Sequence, residues 1–196
     1  MMPPYHYPDQ LQTKRLITRY LTKADIPVWA QFFQDPEAIE FFPMYQGRPH
    51  EECSTEWINR QLNRYANQQY GMQALIVKET NTLIGQCGLL IKDVNGTPEL
   101  EVGYGLIKKY WGQGFAPEAA RLFIDFAFQH HLAESVVSTI ATGNYNSQQV
   151  AVKNGLFRDP TTTQADGLEL YVYRIHKPKG QDIALQLPKC DENHTF

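Results

Sequence analysis

One stretch decides the fold, Lys108-Lys109-Tyr110-Trp111-Gly112-Gln113-Gly114-Phe115-Ala116-Pro117-Glu118-Ala119-Ala120. Residues 99–107 before it have the pattern of a strand, and residues 121–128 continue it as an apolar helix. The first turn of a helix has backbone N–H groups without intrahelical partners and carries the positive end of the helix dipole. Gly112 and Gly114 lack the Cβ atoms that would keep an anion away from the backbone. The order strand, glycine loop, helix therefore predicts a phosphate site, with Pro117 at the first helical position.

Two common glycine-loop motifs do not match this stretch. A P-loop requires Gly-x-x-x-x-Gly-Lys-Ser/Thr, which does not occur in the sequence. A dinucleotide-binding loop requires a Gly or an Ala where this chain has Pro117, whose ring does not suit the close packing there. The stretch instead resembles motif A of the GNAT N-acetyltransferases, Gln/Arg-x-x-Gly-x-Gly/Ala, which grips the pyrophosphate of acetyl-CoA. Gly114 and Ala116 match the two small positions, and Trp111 replaces the usual Gln or Arg. The string is close to the version found in the RimJ/RimL branch of ribosomal-protein N-acetyltransferases.

Length and composition bound the other possibilities. With 196 residues, 42% of them hydrophobic, the chain is predicted to form one domain with one sizeable core. A net charge of −3 and the lack of a polybasic run argue against a nucleic-acid partner. The sequence has no apolar run of about 18 residues and no signal-peptide pattern, which predicts no membrane partner and a cytoplasmic location. The three cysteines are scattered and His130-His131 fits the end of a helix, so we expect no metal site.

The hydrophobic periodicity predicts the order of strands and helices. The predicted strands are residues 15–21, 73–78, 83–91, 99–107, 135–141, and a C-terminal hairpin of 156–162 with 168–175. The predicted helices are residues 24–33, 36–41, 55–69, 117–128 and 148–154, with a loop at 43–53. Gly103 and Gly105 inside a strand predict a bulge or the close approach of a backbone or ligand. We assign residues 1–12 to an N-terminal arm, 13–177 to a single domain and 178–196 to a tail.

A second motif strengthens the resemblance. Asn144-Tyr145-Asn146-Ser147 followed by Gly155 is similar to the Asn-x-x-Ser…Gly-Phe pattern of GNAT enzymes, with Leu156 inserted before Phe157. The order of the predicted elements matches as well. The resemblance implies an α+β GNAT-like fold, a mixed and mostly antiparallel seven-stranded sheet with a splayed parallel pair at strands 4 and 5, flanked by helices. The pantetheine arm of CoA would enter the gap and bind backbone near Leu106 and Ile107, where one N–H would also hold the oxyanion.

The resemblance places most of the acetyl-CoA site on the backbone of the glycine loop. The residues that it implies for binding are Leu106, Ile107, Lys108, Gly112, Gln113, Gly114, Phe115, Ala116, Pro117, Asn144 and Ser147. Trp111 removes a side chain that could reach phosphate, so the backbone cradle acts alone and the indole has the alternative role of an apolar anchor. Acetyl-CoA is the expected cosubstrate, without a metal.

Acetyl transfer to an amine needs a base, because alkyl amines are mostly protonated at neutral pH. In related enzymes a Glu on the fourth strand often has this role. Glu101 is therefore the candidate base, and Glu99, on the same strand face, is the second choice. Either residue could instead lie at a solvated strand edge or pair with Lys108 or Lys109.

The second motif supplies two further catalytic candidates beside Glu101. Many GNAT members carry a Tyr as general acid where this chain has Val150, so Tyr145 and Ser147 are the substitutes to consider. Asn144 could hold water or the pantetheine amide, although both Asn144 and Ser147 also suit a turn or a helix cap. The catalytic candidates are thus Glu101, Ser147 and Asn144.

These patterns lead to two hypotheses from different classes. The first is an N-acetyltransferase that moves the acetyl group of acetyl-CoA to a protein N-terminal amine or a small amine by direct transfer in a ternary complex. The second is a non-catalytic acyl-CoA-binding sensor or partner module, which Val150 favours and Glu101 opposes. The aromatic residues of the helix at 55–69 fit either the core or an acceptor pocket. Edge strands in the C-terminal hairpin are compatible with a homodimer.

Overall fold

The computed structural model describes residues 8–178. Residues 1–7 of the predicted arm and 179–196 of the predicted tail lie outside the described residues, and the domain limits stay a prediction. The strands are β1 (Leu16–Arg19), β2 (Met72–Val77), β3 (Thr82–Val94), β4 (Thr97–Leu106), β5 (Ser135–Ala141), β6 (Phe157–Ala165) and β7 (Leu168–His176). The α-helices are α1 (Ile26–Gln34), α2 (His50–Ala66), α3 (Phe115–Gln129) and α4 (Tyr145–Lys153). Across residues 8–178, no helix has both the length and the apolar character needed to cross a bilayer.

The seven strands form one sheet in the order β1-β2-β3-β4-β5-β7-β6. Neighbouring strands are antiparallel except β4 and β5, which run parallel because α3 carries the chain back across the sheet between them. In the described part of the chain, β4 and β5 pair in register only at Glu101↔Val137. The predicted mixed sheet with a splayed parallel pair at strands 4 and 5 is confirmed.

Alternation along β4 separates the two faces of the sheet. Leu100 and Val102 are buried in the core cluster that contains the apolar side of α3. Glu101 and Gly105 belong to the opposite face, because successive residues of a strand point to opposite sides. A Cβ on Gly105 would lie 3.6 Å from the indole of Trp29 on α1. The face that carries Glu101 is therefore covered by a second apolar cluster, built on α1 and α2.

One predicted helix does not form, and two others begin earlier than predicted. Residues 36–41 form turns instead of a helix, because so short a segment gains few internal hydrogen bonds for the cost of nucleation. α2 begins at His50 and not at residue 55, since Pro49 ends the preceding loop and two glutamates suit the first turn. α4 begins at Tyr145, three residues before the predicted start, because the side chain of Asn144 caps it.

The glycine-rich part of β4 contains no bulge. Its register with β3 is continuous from Val94↔Thr97 to Gly85↔Leu106. A side chain is excluded at Gly85, because a Cβ there would lie 2.4 Å from the carbonyl oxygen of Gly105. Gly103 and Gly105 line a cleft instead, so the alternative, the close approach of a ligand, stays a prediction.

Candidate active site

A cleft of about 540 Å³ runs along β4 to the glycine loop. Most of the residues that the sequence selected lie along its wall, namely Glu101, Leu106, Gly112, Gly114, Phe115, Ala116, Pro117, Asn144 and Ser147. Ile107, Lys108 and Gln113 are neighbours in the chain that do not line it. The two sequence motifs, on either side of β5, therefore meet at one cavity.

The glycine loop has the backbone geometry of an anion cradle. Gly112 and Gly114 have φ angles of +73° and +79°, and a Cβ on Gly112 would meet no atom within 4 Å. α3 begins at Phe115, so Pro117 is its third residue and not its first. The N–H groups of the first turn have no intrahelical partner, so a proline at the third position still loses no helical hydrogen bond. The open space over Gly112, next to the N-terminus of a long helix, fits the pyrophosphate of acetyl-CoA.

Arg15, which precedes β1, fastens this loop to the edge of the sheet. Its Nε donates to Oε2 of Glu118 at 2.7 Å, and its Nη1 donates to the carbonyl oxygen of Gln113 at 2.9 Å. The guanidinium lies 4.2 Å from the ring centroid of Phe115. Burial acts to raise the pKa of Glu118, but hydrogen bonds from Thr13 and Arg15 outweigh it and hold the pKa below its ordinary value. No sequence pattern predicted this contact.

The ladder between β3 and β4 decides which backbone groups face the gap. The N–H of Ile107 donates to the carbonyl oxygen of Ile84 at 3.0 Å. Because backbone direction alternates along a strand, the N–H of Leu106 then points toward β5. The Leu106 carbonyl oxygen accepts a hydrogen bond of 2.8 Å from Nε1 of Trp111. Of the two backbone donors expected from the sequence, Leu106 is the one that faces the gap, and Trp111 is a polar as well as an apolar anchor.

Glu101 lies where the pairing between β4 and β5 stops. Glu101 is 9% exposed to solvent. Its Oε1 accepts hydrogen bonds from the backbone N–H of Thr139, at 2.9 Å, and from the Thr139 hydroxyl. If the parallel pairing continued, the Thr139 N–H would donate to the carbonyl oxygen of Val102. The Glu101 carboxylate therefore accepts the hydrogen bond that the next backbone carbonyl would otherwise accept. Burial raises the pKa of Glu101, and the Thr139 hydrogen bonds oppose part of the rise. A buried carboxyl group with a raised pKa on the wall of a cleft is suited to accept a proton.

Glu99, the second candidate base, already has a partner. Both of its carboxylate oxygens accept hydrogen bonds from Arg174 on β7, at 2.9 and 3.1 Å. Lys108 pairs instead with Asp35 and Glu37. The pairing of Glu99 with Lys108, considered from the sequence, is therefore not formed, and a bidentate ion pair holds Glu99 away from proton transfer.

A tyrosine that the sequence reading did not select holds the start of α4. Asn144 caps this helix by accepting the Ser147 N–H at 3.1 Å. The Ser147 hydroxyl donates to the hydroxyl oxygen of Tyr104 at 3.1 Å, and the Tyr104 hydroxyl donates to the Ser147 carbonyl at 2.9 Å. Burial raises the pKa of Tyr104 to about 12, so its hydroxyl stays protonated. Tyr145, the other candidate to replace the missing family tyrosine, is 73% exposed.

Aromatic side chains of α1 and α2 form another part of the wall, including Trp29, Phe32 and Trp57. Trp29 stacks on Phe32 with ring centroids 4.5 Å apart. Nε1 of Trp57 donates to Oε1 of Gln86 at 2.8 Å, which fixes the orientation of that buried amide. Its Nε2 then has no hydrogen-bond partner among the described residues. Trp57 therefore serves both the core and the cleft, the two roles that the sequence left open.

A family model described as an acetyltransferase (GNAT) domain matches residues 15–156. The chain belongs to the GNAT acetyltransferases. This GNAT enzyme is 29% identical over 155 residues to the uncharacterised protein YkkB of Bacillus subtilis, covering 78% of this chain and 87% of YkkB. It is also 29% identical over 182 residues to an uncharacterised N-acetyltransferase of Bacillus licheniformis, covering 86% of this chain and 97% of the relative.

Two solved structures illustrate the likeness of this GNAT enzyme to known folds. An acetyltransferase from Agrobacterium tumefaciens aligns with a TM-score of 0.71 at 28% identity, covering 88% of this chain and 96% of that one. RimL, a ribosomal alpha-N-protein acetyltransferase in complex with coenzyme A, aligns with a TM-score of 0.67 at 17% identity, covering 84% of this chain and 95% of RimL. At that identity the likeness to RimL is one of fold.

Family membership makes the chain an acetyl-CoA-dependent N-acetyltransferase, and it confirms the family that the two motifs predicted. It favours a catalyst over the non-catalytic acyl-CoA-binding module. Within residues 8–178, no group of three or more His, Cys, Asp and Glu side chains could hold a metal ion.

Proposed function

We propose that this GNAT enzyme transfers the acetyl group of acetyl-CoA to a primary amine by direct attack in a ternary complex, with Glu101 as the base. The observation that carries the proposal is the position of Glu101, a buried carboxylate on the wall of the cleft at the point where β4 and β5 part. The acceptor is the α-amine of a protein N-terminus, as for the RimJ/RimL branch, or the amine of a small molecule.

The backbone of the glycine loop and of β4 would hold the cosubstrate. The cradle at Gly112 and Gly114 receives the pyrophosphate, and the backbone of Tyr104 and Leu106 in the gap binds the pantetheine arm. Acetyl-CoA bound there supplies an activated acetyl group as a thioester. The N–H of Leu106 is the donor for the acetyl oxygen on which negative charge develops during transfer.

The remaining implied residues support this cradle from the sides. Phe115, Ala116 and Pro117 form the first turn of α3, and Asn144 and Ser147 form the start of α4 across the cleft. Ile107, Lys108 and Gln113 act on the loop from outside the cleft, through the hydrogen bond to Ile84, the ion pair with Glu37 and the hydrogen bond from Arg15.

Glu101 makes the acceptor amine nucleophilic. An alkyl amine is mostly an ammonium ion at neutral pH and must lose a proton before or during attack. As the new N–C bond forms, Glu101 accepts the proton, directly or through a water molecule, and later releases it to solvent. A pKa above the ordinary value makes the carboxylate a better proton acceptor, although only while the pH keeps it ionised.

Ser147 is the side chain that meets the departing sulfur. As the C–S bond breaks, the Ser147 hydroxyl turns from Tyr104 and donates a hydrogen bond to the sulfur, which leaves as a thiolate and takes its proton from water. A thiol with a pKa of about 8.5 is a fair leaving group near neutral pH, so this step does not need a strong acid. Val150 lines the cleft where the family tyrosine would stand.

The two described cysteines do not favour a route through an acetylated enzyme. Cys53 and Cys87 are both 0% exposed, and burial raises the pKa of both thiols. Neither lines the cleft. Direct transfer in a ternary complex is the route that this arrangement supports.

The test begins with a screen of N-terminal peptides and small amines for release of free CoA thiol from acetyl-CoA. For each acceptor found, initial rates over a grid of both substrate concentrations should give intersecting double-reciprocal lines, as expected of a ternary complex. Intact-mass spectrometry of the enzyme incubated with acetyl-CoA alone should show no acetyl adduct. Parallel lines together with an adduct that an amine discharges would contradict direct transfer.

A further inference from the structure

Two cations lie on the side of Glu101 that is remote from the glycine loop. β3 pairs Leu90 with Glu101 and Lys92 with Glu99, so Lys92 is on the same face as Glu101 and nearer the start of β4. Arg64, in the last turn of α2, lines the same cleft as Lys92 and Glu101. The glycine loop follows the other end of β4, so the two cations are at the acceptor end of the cleft.

Lys92 is available to bind an anion. Among residues 8–178, no carboxylate oxygen lies within 4.0 Å of its ammonium group in an ion pair. Glu99, directly opposite Lys92 in the ladder, is held by two nitrogens of Arg174 instead. Arg64 donates a hydrogen bond of 3.1 Å to Oε1 of Gln61, which places its guanidinium beside α2 at the cleft wall. The positive charges of Lys92 and Arg64 both reach Glu101, where they act against the rise in its pKa that burial causes.

The other carboxylates of the cleft wall are at the opposite end. Glu37 and Glu40 follow α1, and Glu37 is paired with Lys108, just past the end of β4. Asp166 is in the turn before β7, whose first residues pair with the end of β5 at Ala141↔Leu170. These carboxylates therefore lie where β4 and β5 end, away from Lys92. Two further cations line the cleft, Arg60, which pairs with Glu56, and Lys153, in the last turn of α4.

We propose that the acceptor carries an anionic group beside its amine, and that Lys92, assisted by Arg64, binds this group while the amine meets Glu101. The proposal rests on the proposed transfer. Diagonal neighbours in an antiparallel ladder are about 7–8 Å apart, with their Cβ atoms somewhat closer. The long side chain of Lys92 can therefore bind an anionic group of an acceptor whose amine contacts Glu101. The class of acceptor is an α-amino acid, whose amine and carboxylate are bonded to the same carbon.

The experiment compares acceptors that share a side chain and differ in charge beside the amine. The wild-type enzyme is assayed with acetyl-CoA and a panel of α-amino acids, the matching amino-acid amides and the matching decarboxylated amines. Rates are expressed per concentration of neutral amine. We expect kcat/KM for the preferred amino acid to exceed that of its amide by about tenfold or more, the effect of a lost hydrogen bond to a charged group. An equal or higher kcat/KM for the amide, or for N-terminal peptides that lack a neighbouring carboxylate, would overturn the proposal.

Variants that change the charge at residue 92 test whether Lys92 causes the preference for the acid over the amide. Lys92→Met should remove most of the preference for the acid over the amide, mainly through KM, and Lys92→Glu should reverse it. Lys23→Met, which removes an exposed lysine outside the cleft, is the matched control and should keep the preference. CoA affinity, measured by calorimetry, should be the same in all three variants. An unchanged preference in Lys92→Glu would overturn the assignment of Lys92.

Failure of this inference is distinguishable from failure of the proposed function. Acetylation of neutral or cationic amines without any preference for acids would leave acetyl transfer intact and remove only the anionic acceptor. Release of no CoA thiol with any amine, while calorimetry shows that acetyl-CoA binds, would overturn the proposed function and this inference with it.

Discussion

The backbone N–H of Thr139 on β5 donates a hydrogen bond of 2.9 Å to Oε1 of Glu101 on β4, across the two strands whose pairing stops at that point. A side chain thus completes what the backbone ladder leaves open. The same carboxylate lines the cleft, so one residue both ends the strand pairing and presents the candidate base.

Glu101→Gln should separate catalysis from binding. The amide can still accept both Thr139 hydrogen bonds but cannot take a proton from an amine, so kcat should fall by about 10²–10⁴-fold while CoA affinity stays the same. Steady-state thiol release and calorimetry measure the two quantities. Glu40→Gln changes an exposed carboxylate of the same cleft and should leave kcat near the wild-type value. A wild-type rate in Glu101→Gln would remove Glu101 as the base.

The same variant should change how stability depends on pH. The pKa of Glu101 is raised in the folded protein, so its contribution to stability is fully present below the ordinary carboxyl pKa and is lost as the pH rises through the folded pKa. Glu101→Gln lacks this loss. Thermal unfolding from pH 4 to pH 9 should therefore show the variant gaining on the wild type as the pH rises.

Thr139→Val should move the acidic limb of the pH–rate profile to higher pH. The valine keeps the backbone donor but loses the hydroxyl that favours the ionised form of Glu101, so the pKa of Glu101 rises further. Thr139→Ser restores the hydroxyl and should restore the wild-type limb. Profiles of kcat/KM for all three proteins decide the matter, and coincident limbs for Val and Thr would contradict a tuning role for this hydroxyl.

Ser147→Ala should slow transfer without weakening CoA binding much. The variant removes the hydroxyl proposed to meet the departing sulfur, and we expect kcat to fall by about tenfold, the scale of one hydrogen bond. Tyr145→Phe is the matched control, because Tyr145 lies two residues before Ser147, at the start of α4, and its side chain faces solvent. If Tyr145→Phe were the slower enzyme, the leaving group would have to be served by Tyr145 instead.

Gly112→Ala should weaken CoA binding more than it weakens the fold. Gly47 is its matched control, since Gly47 and Gly112 have φ angles of +71° and +73° and a Cβ on either would meet no atom within 4 Å. Each substitution should cost about 1 kcal/mol in the free energy of unfolding, because alanine is strained at positive φ. Only Gly112→Ala should raise the Kd for CoA, as measured by calorimetry. Equal affinity in the two variants would show that the cradle over Gly112 does not hold phosphate.

Glu118→Gln should lower the stability of the fold at pH values above the ordinary carboxyl pKa and have little effect at low pH. The folded-state pKa of Glu118 is lowered, so its bonds with Arg15 and Thr13 contribute stability above the ordinary pKa, and that stability is lost as the pH falls through the lower, folded value. The difference in melting temperature between wild type and variant should be largest near pH 7 and shrink toward pH 3. Glu56→Gln, at a more exposed carboxylate with arginine partners, should give a smaller difference at pH 7.

The sequence predicted the sheet and the order strand, glycine loop, helix well, because both depend on local patterns. β-branched runs gave the strands, and the glycines around Gln113 gave the cradle, with Ser135–Ala141 predicted to the residue. The predicted starts of α2 and α4 were wrong, because Pro49 and the cap at Asn144 set these starts and hydrophobic periodicity did not.

The contacts that build the site across long stretches of chain could not be read from local patterns. The Arg15–Glu118 bridge joins residues 103 apart, and the Glu101–Thr139 bond joins residues 38 apart. Tyr104 was the exception, since a lone large residue between Gly103 and Gly105 was a visible signal of a special position. The family resemblance points instead to the position of Val150, which carries no hydroxyl.

The limited pairing of β4 with β5 gives the sheet a mechanical character. β1 to β4 form one leaf and β5, β7 and β6 form another, and each leaf is stiffened by antiparallel ladders. In the described residues, strand pairing joins the leaves along a seam at Glu101↔Val137. Bending of the sheet is concentrated at such a seam, because it has fewer hydrogen bonds to break than either leaf. The candidate base, Glu101, therefore lies on the line about which the two leaves would bend, and such bending would change the width of the cleft.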